Sequence, residues 1–331
     1  MKMFTRAALV VSAGAGACWA QPGAPAQDAP AAQPADEPAQ PPEGSGRPPF
    51  DLFELTLRSA HIFDASVSDQ GDVSVSSLAV RFSAQYPVTR ELVLGVSAGT
   101  GTLFYDFDGP SKLVPGDQSP WDNIRVSSVG TNALWRRGRW VAFGGLNLSS
   151  AGEDGADFND TLTVGGSGAA SYAVSPKLRI GAGITAQTRL DDNPFVLPFP
   201  TLDWVLPGDP QERWRLQIGA QRLGPSRAAS GGITFTPSEK FSIAAGVTAV
   251  GLGGEFRLDD DGPAPGGVGR DSSFPALLSV DWTPSPPVTV NVFGGVTFGT
   301  ELELLDSGGA RIGRRNVRSA PVIGLNVNFT F

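Results

Sequence analysis

The chain is poor in the two residue types that most often hold metals or act as nucleophiles. It has one cysteine, Cys18, and one histidine, His61. Cys18 lies in an N-terminal segment that we expect to be removed, so the mature chain would hold neither a disulfide nor a thiolate site. The sequence contains no zinc-ligand spacing and no glycine-rich phosphate loop. We therefore predict that it binds no metal and no cofactor.

The chain also lacks an excess of basic charge. It carries 25 Lys and Arg residues against 33 Asp and Glu residues, a formal net charge of −8. Loss of Lys2 and Arg6 with an N-terminal signal leaves 23 basic against 33 acidic residues, a balance of −10. This balance excludes nucleic acid as an expected partner.

No run of about 18 apolar residues occurs, which excludes a transmembrane helix. The N-terminus instead has the pattern of a secretory signal peptide: Lys2 and Arg6 precede a small apolar core, and Cys18-Trp19-Ala20 fits a cleavage site. We predict that residues 1–20 are the signal. The alternative is a lipoprotein with a lipidated Cys18, but Ala15 stands where a leucine-like residue is usual.

Residues 21–49 are rich in Pro, Ala, Gln and Gly and contain no aliphatic residue larger than Ala. Such a segment cannot bury enough apolar area to offset the entropy that ordering costs. We interpret it as a disordered Pro/Ala-rich periplasmic tether.

From residue 50 to residue 331 the pattern is that of an all-β protein. Segments of about ten residues alternate between apolar and polar positions, separated by clusters of Gly, Pro, Asp and Ser. In segment 78–86, for example, Arg81, Ser83 and Gln85 interrupt apolar even positions. Period-two alternation places the two kinds of residue on opposite faces of a strand. Segments 124–135 and 139–149 are ambiguous, because both of their parities are apolar.

The connections between these segments are alternately short and long. Short ones are 87–90, 136–138, 175–177, 207–212, 236–239 and 283–287; long ones are 64–72, 106–122, 150–160, 191–199, 222–229, 258–272 and 306–316. Outer-membrane barrels have short periplasmic turns and longer outer loops. The six turns and seven loops predict a single antiparallel transmembrane β-barrel of fourteen strands over residues 50–331. If the pair 200–206 and 214–221 does not span, the number is twelve.

The last stretch has the same alternation, with apolar residues on one parity and the chain ending on Phe329 and Phe331. It resembles the closing strand of bacterial outer-membrane β-barrels, in which the barrel-assembly machinery reads the terminal aromatic strand. The resemblance implies a location in the outer membrane of a Gram-negative-type bacterium, with Phe329 and Phe331 as the assembly signal. The implied partners are outer-membrane lipid, lipopolysaccharide and the assembly machinery.

Five stretches of the second half carry a further resemblance: Val196-Leu197-Pro198 with Trp204, Glu255 to Asp260, Phe274-Pro275-Ala276, Ala310 to Gly313, and Ala320-Pro321. In these the chain resembles an uncharacterised family of bacterial outer-membrane β-barrel proteins, a domain of unknown function. The resemblance implies a barrel and carries no substrate or active site.

Aromatic residues near the predicted strand ends are typical of the girdles at the two membrane interfaces. They are Tyr86, Tyr105, Trp121, Trp135, Trp140, Tyr172, Trp204, Trp214 and Trp282. A soluble β-sandwich also has alternating strands. The signal, the terminal Phe and the turn–loop asymmetry together favour the membrane barrel.

Ionisable groups inside a membrane are costly unless they face water or one another. The predicted lumen-lining residues are therefore those on the parity opposite to the apolar face: Glu54, Arg58, Arg81, Arg179, Asp203, Arg215 and Asp281, with Arg125 as a further candidate. Small residues share this parity, among them Gly95, Ser97, Gly99, Gly165, Ser167, Ala169, Gly181 and Gly183. Small inward residues leave space, which predicts a passive channel for small hydrophilic solutes. The alternative is a closed barrel with a structural or surface-interaction role, for instance with loop 106–122 folded inward.

An enzyme is the less favoured class. Barrel hydrolases pair a histidine with Ser, Asn or Asp, and His61 is the candidate here. It shares parity with Phe53, Leu55 and Leu57, which we assign to the lipid face. An interfacial histidine without a catalytic role is the favoured interpretation, and a membrane-embedded hydrolase is the alternative.

Two Arg-Leu-Asp-Asp motifs, 189–192 and 257–260, each end a strand and open a long loop. They give an acidic cluster of Asp191, Asp192, Asp259, Asp260 and Asp261. Clustered carboxylates suit Ca²⁺, or the divalent layer on lipopolysaccharide. The acids lack the alternate spacing of calcium loops, so we favour solvated turns capped by Asp.

Overall fold

The computed structural model describes residues 53–67, 71–109, 113–114, 118–190, 194–220, 229–248 and 254–331. The predicted signal (1–20) and tether (21–49) lie outside these residues. Within the described ranges, no helix is long and apolar enough to cross a membrane.

Sixteen strands belong to a single sheet. They are β1 (Phe53–Val67), β2 (Gly71–Pro87), β3 (Leu92–Asp108), β4 (Ile124–Arg137), β5 (Trp140–Glu153), β6 (Leu162–Ser175), β7 (Leu178–Gln187), β8 (Phe195–Val205), β9 (Trp214–Ala220), β10 (Ala229–Ser238), β11 (Phe241–Thr248), β12 (Glu255–Arg257), β13 (Val268–Ser285), β14 (Val288–Leu305), β15 (Arg311–Val317) and β16 (Ala320–Thr330). One 3-10 turn, Phe158–Thr161, precedes β6.

Fourteen of these strands close into an antiparallel ring. Pairing runs in chain order from β1 to β11 and continues through β13, β14 and β16, which pairs back onto β1. The N–H of Phe331 donates to the carbonyl of Phe53 over 3.0 Å, so the last residue joins the first strand. The predicted fourteen-stranded barrel is confirmed. The uncertain pair belongs to it, because β8 and β9 are paired from Leu202–Ile218 to Val205–Arg215.

The two rims of the barrel differ, as the alternation of connections predicts. We call the rim with the six short connections the turn end; it also holds Phe53 and Phe331. The opposite rim is the loop end. There the predicted loops 64–72, 258–272 and 306–316 are wrong in part, because β1, β2, β13 and β15 continue through them as paired strands. Their Asp, Ser and Gly residues resemble turn signals, yet in a ladder outside the membrane such residues can face water.

The outer face is apolar. On β2, the side chains of Leu78, Val80 and Phe82 are 60%, 39% and 45% exposed, whereas Ser83 on the other parity is buried. An outward apolar face on a closed antiparallel barrel matches the architecture of Gram-negative outer-membrane proteins. Strands of 17 or 18 residues, such as β2 and β13, are longer than the roughly 9–11 residues that a membrane requires, so they project beyond it.

Most of the predicted girdle lies on the outer face. Exposed side chains near the turn end are Tyr86, Trp135, Trp140, Trp204, Trp214 and Trp282. Tyr105 and Trp121 are exceptions, so the girdle prediction is wrong for them. They pack edge-to-face inside the loop end, and Trp121 is only 2% exposed.

The barrel interior explains the two ambiguous segments. In β4 and β5 the second apolar parity points inward, where Leu134 and Phe143 are buried with Val93 of β3. These strands therefore have one apolar face towards the exterior and another inside the barrel.

Candidate functional site: the barrel interior

All seven predicted lumen-lining residues lie on the inner parity of their strands and are half-buried. Asp203 and Arg215 are the clearest pair. Arg215 Nε donates to Asp203 Oδ1 over 2.6 Å and Arg215 Nη2 donates to Oδ2 over 3.0 Å. Their side chains keep 19% and 33% exposure, so the pair borders open space inside the barrel.

Asp281 is the acceptor of a polar chain that crosses four strands. Ser242 Oγ and Asn291 Nδ2 donate to its two carboxylate oxygens over 2.8 and 2.7 Å. Asn326 Nδ2 in turn donates to Asn291 Oδ1 over 2.9 Å. Both carboxylate oxygens of Asp281 therefore accept from neutral donors, within a hydrogen-bonded belt.

The belt continues on β1 and β2. Thr56 Oγ1 lies 2.8 Å from Asn328 Oδ1 and 3.1 Å from Glu54 Oε1. Arg81 Nη2 donates to Ser97 Oγ over 2.8 Å, and Arg58 lies on the same inner face as Glu54. These contacts hold the polar side chains against the wall.

Arg125 does not belong to this group. Its side chain is 73% exposed and pairs with Asp154 at the loop end, with Nε 2.6 Å from Oδ1. It lies on the parity of the exposed Val129. The prediction that it joins the lumen-lining set is wrong, because both parities of β4 are apolar and the sequence left its orientation open.

Larger side chains from neighbouring strands lie against the inward-facing glycines, flat along the wall. A Cβ on Gly183 would stand 2.4 Å from Phe199 Cζ, and one on Gly95 would stand 2.5 Å from Asn132 Oδ1. These glycines are thus covered by neighbouring side chains and do not themselves leave the space that we predicted. They let Phe199 and Asn132 lie along the wall instead of pointing to the axis.

The loop end is filled by an apolar core, which we call the cap. It is made of the inner sides of the projecting strands together with segments that fold inward, and its most enclosed members are Val67, Trp121, Ile124, Phe256, Leu258, Leu302 and Leu304. Leu113 and Val114, from predicted loop 106–122, are also buried in it. The described residues of that loop thus include some that fold inward, as we considered.

β12 carries the cap across the mouth. It pairs antiparallel with β13 and, through Arg257 and Gly152, in parallel with β5. In the ring of fourteen, β5 is the fifth strand and β13 the twelfth, so seven steps separate them in either direction. Opposite walls are thereby joined by one strand, at two strand spacings or roughly 10 Å.

A buried ionic group, which we call the latch, holds β12 in this place. Glu255 accepts from Arg270 Nε over 2.5 Å and from Arg189 Nη2 over 3.1 Å, and its other oxygen accepts the N–H of Leu190. Arg270 also donates to Glu303 over 3.0 Å. Burial would raise the pKa of Glu303, but its hydrogen bonds from Arg270 and Arg311 hold it below the ordinary value.

Next to the latch lies a second buried acid, Asp271. Its Oδ2 accepts the hydroxyl of Tyr105 over 3.1 Å, while Oδ1 is buried without a hydrogen-bond partner among the described residues. Both residues lie on projecting parts of β3 and β13, outside the membrane span. Burial raises the pKa of Asp271 to about 6, although the Tyr105 hydroxyl opposes the change. Burial and the nearby Asp271 charge raise the pKa of Tyr105.

The two Arg-Leu-Asp-Asp motifs meet at the cap. Arg257 of the second motif donates to the carbonyl of Leu190 in the first over 3.2 Å. Asp191 and Asp192 lie outside the described residues. Asp260 and Asp261 are exposed, and the N–H of Asp259 donates to Glu153. No group of three or more His, Cys, Asp or Glu side chains suited to a metal is found in the described part of the chain.

His61 lies on the outward parity, as predicted. Its Nδ1 is 2.9 Å from Ser76 Oγ, and its ring packs edge-to-face on Phe63 at 4.7 Å. A Ser–His pair is the start of a nucleophile arrangement, but no described acid or amide orients the ring from its other side. The contact is that of an interfacial polar pair.

Sequence reasoning missed the residues that hydrogen-bond to the predicted lumen-lining side chains and those that form the latch. Thr56, Asn291 and Asn326 complete the polar belt, and Glu255 with Arg270 makes the latch. The asparagines had a signal, since they occupy the polar parity of their strands. The latch had none, because Glu255 and Arg189 are 66 positions apart.

No family model and no curated protein matches the sequence, so the resemblance of its second half to an uncharacterised family stays a prediction. Solved structures align over most of the chain. An outer-membrane channel from Pseudomonas putida F1 aligns at 10% identity and a TM-score of 0.45, covering 88% of this chain and 100% of its own. The KdgM porin, in complex with disordered oligogalacturonate, aligns at 8% identity and a TM-score of 0.35, covering 83% of this chain and 99% of its own. The Pseudomonas putida toluene transporter TodX aligns at 10% identity and a TM-score of 0.37, covering 85% of this chain and 90% of its own. The fold of this chain is established by its own strand pairing.

Proposed function

We propose that the protein is a passive channel for small hydrophilic solutes, with a lumen that is closed at the loop end in this conformation. The observation that carries the proposal is the partial exposure of charged side chains on the inner face. Arg215 and Asp203 keep 33% and 19% of their side-chain surface exposed on the inner face, towards the turn end of the barrel. Partly exposed inner charges require water inside the barrel.

The cap favours one alternative, a closed barrel with a structural or surface-interaction role. A strand that joins opposite walls blocks part of the mouth, and the apolar core around it excludes water. The two functions differ in whether the cap ever leaves this position. Its attachment by ionic and polar contacts, which water can replace, supports a closure that opens.

The test is single-channel conductance of the refolded barrel in planar bilayers. We expect rare, brief openings in the unmodified protein and frequent ones when residues 254–267 are shortened to a tight turn. If bilayers stay silent with both proteins, the channel proposal fails and the closed barrel stands.

We further propose that the turn end faces the periplasm, with the tether, and that the loop end faces outward. Ser307 and Ser175 are both exposed and lie at opposite ends of the barrel. Cysteine at Ser307 should react with an impermeant maleimide on intact cells, and cysteine at Ser175 should react only after lysis. The reverse result would overturn the orientation.

We also propose that Phe329 and Phe331 serve the barrel-assembly machinery, and that outer-membrane lipid and lipopolysaccharide surround the wall. Phe331 is 69% exposed, yet its main chain closes the ring. Phe331→Ser keeps the backbone hydrogen bonds and removes only the aromatic signal. A fall in heat-modifiable barrel in cells, with unchanged refolding in detergent, is the result that we expect.

A further inference from the structure

The inner wall has a charge of opposite sign to the chain. The sequence carries 25 basic against 33 acidic residues. Below the cap, however, the described inner parity of the barrel strands has more arginines than acids. The arginines are Arg58, Arg81, Arg136, Arg179 and Arg215, and the acids are Glu54, Asp203 and Asp281. An excess of cations inside an acidic protein raises the local concentration of anions.

Two of these arginines have no acidic partner among the described residues. Arg179 stands across the ladder from Asp203, but that carboxylate is occupied at both oxygens by Arg215. The Nε of Arg179 is buried and has no hydrogen-bond partner in the described part of the chain. Arg136 lies next to the turn that precedes β5. The nearby acid Glu91 is directed at Arg137 instead, with its Oε1 3.9 Å from Arg137 Nε.

Strand pairing brings the two arginines to the same part of the inner wall. Arg136 pairs with Val141, Val141 with Ser171, and Ser171 with Gly181, which is one inward position from Arg179. Arg136 is at the turn-end rim, outside the membrane span. Partial burial and, after it, the charge of Arg179 lower the pKa of Arg136. Two like charges that share a partly buried space are mutually repelled, and an anion placed between them would relieve that repulsion. Guanidinium groups match the planar, bidentate geometry of carboxylate and phosphate oxygens.

We propose that Arg136 and Arg179 form an oxyanion site at the turn end of the lumen, and that the solutes of the channel are small carboxylates or phosphates. This inference rests on the proposed channel and names its solute class. The site lies at the turn-end rim, where a solute enters or leaves the lumen. The paired Arg215 and the hydrogen-bonded Arg81 continue the positive wall from there.

The test is the reversal potential in a potassium chloride gradient, measured in the Glu255→Gln background so that the cap opens. We expect anion selectivity, and a shift towards cations in the double variant Arg136→Gln/Arg179→Gln. Arg137→Gln is the matched control. It removes the same charge from the adjacent residue, which is exposed and lies on the outward parity, and we expect no shift.

Binding of inorganic phosphate to the refolded protein, followed by calorimetry, is the second measurement and does not need conductance. We expect saturable binding that weakens about tenfold or more in the double variant, because charge-assisted hydrogen bonds are lost. A conducting barrel with unchanged selectivity in the double variant overturns the oxyanion site and leaves the channel intact. A silent barrel refutes the channel, and phosphate binding then decides the site alone.

Discussion

The two halves of the barrel interior use polar residues in opposite ways. Below the cap, Asp203, Arg215 and Asp281 are half-exposed and hydrogen-bonded to neighbours on the same wall. In the cap, the buried Glu255 pairs with its strand neighbour Arg270 and also with Arg189, which is 66 positions away in the sequence. Same-wall contacts line a space, whereas cross-barrel contacts close it. The direction of the contacts therefore separates the open part of the interior from the part that the cap closes.

The largest expected effect comes from breaking the latch. Glu255→Gln keeps the shape of the side chain but removes the ion pairs that Glu255 makes with Arg189 and Arg270. Loss of one partner in a buried pair costs about 3–5 kcal/mol, so the ratio of open to closed caps should rise by about 100-fold or more. The open probability of single channels in planar bilayers measures this ratio. If open probability is unchanged while the barrel folds normally, the latch does not hold the cap.

The next effect is a dependence on pH. Because the pKa of Asp271 is about 6 in the cap and should fall to about 3.9 when the cap opens, the closed state binds the proton more tightly. Closure is then strongest below about pH 4 and weakens by about 1.4 kcal/mol per pH unit up to about pH 6. Open probability should rise with pH across this window.

Asp271→Asn should remove most of that slope. Glu153, whose pKa burial also raises, should leave a smaller slope of the same sign. Hydrogen exchange of amides in the cap, compared at pH 4 and pH 6.5 after correction for the intrinsic rate, checks the same change without conductance. A slope of the opposite sign would contradict the assignment.

A smaller effect tests the wall below the cap. Gly183→Ala should push Phe199 off the wall towards the axis, because the added Cβ would stand 2.4 Å from the ring. Overpacking of this kind costs about 1–3 kcal/mol, and the unitary conductance should fall. Gly144→Ala is the matched control, since its Cβ would point outward and meet nothing closer than 3.8 Å. Gly183→Ala/Phe199→Ala should restore the conductance.

The smallest effect is expected at the exposed pair of the loop end. Asp154→Asn removes the partner of Arg125, but both side chains are more than half exposed. Such pairs contribute about 0–1 kcal/mol. The temperature of thermal unfolding and the open probability should both stay close to the values of the unmodified protein. A large change would show that exposure does not separate structural from incidental charges in this protein.

The sequence predicted the barrel well because its signals are local. Alternation within strands and the Gly, Pro and Asp clusters between them located all six short turns and the outer face. It also placed Arg179 and Asp203 on the inner parity. The cap escaped prediction because its contacts join positions with no sequence relation, such as Tyr105 and Asp271, which are 166 residues apart. Tyr105 and Trp121 were misplaced for the same reason: residues just beyond a membrane strand can point to the interface or to the axis.

The bridge from β13 to β5 has a consequence for folding. These strands lie opposite each other in the ring, so they come within reach of one strand only after the ring has closed. Contacts with such large sequence separation carry a high loop-closure entropy and form late. We therefore expect the barrel to assemble with an open mouth and to seal last. A protease supplied during refolding should cut residues 254–267 after the wall has already become resistant.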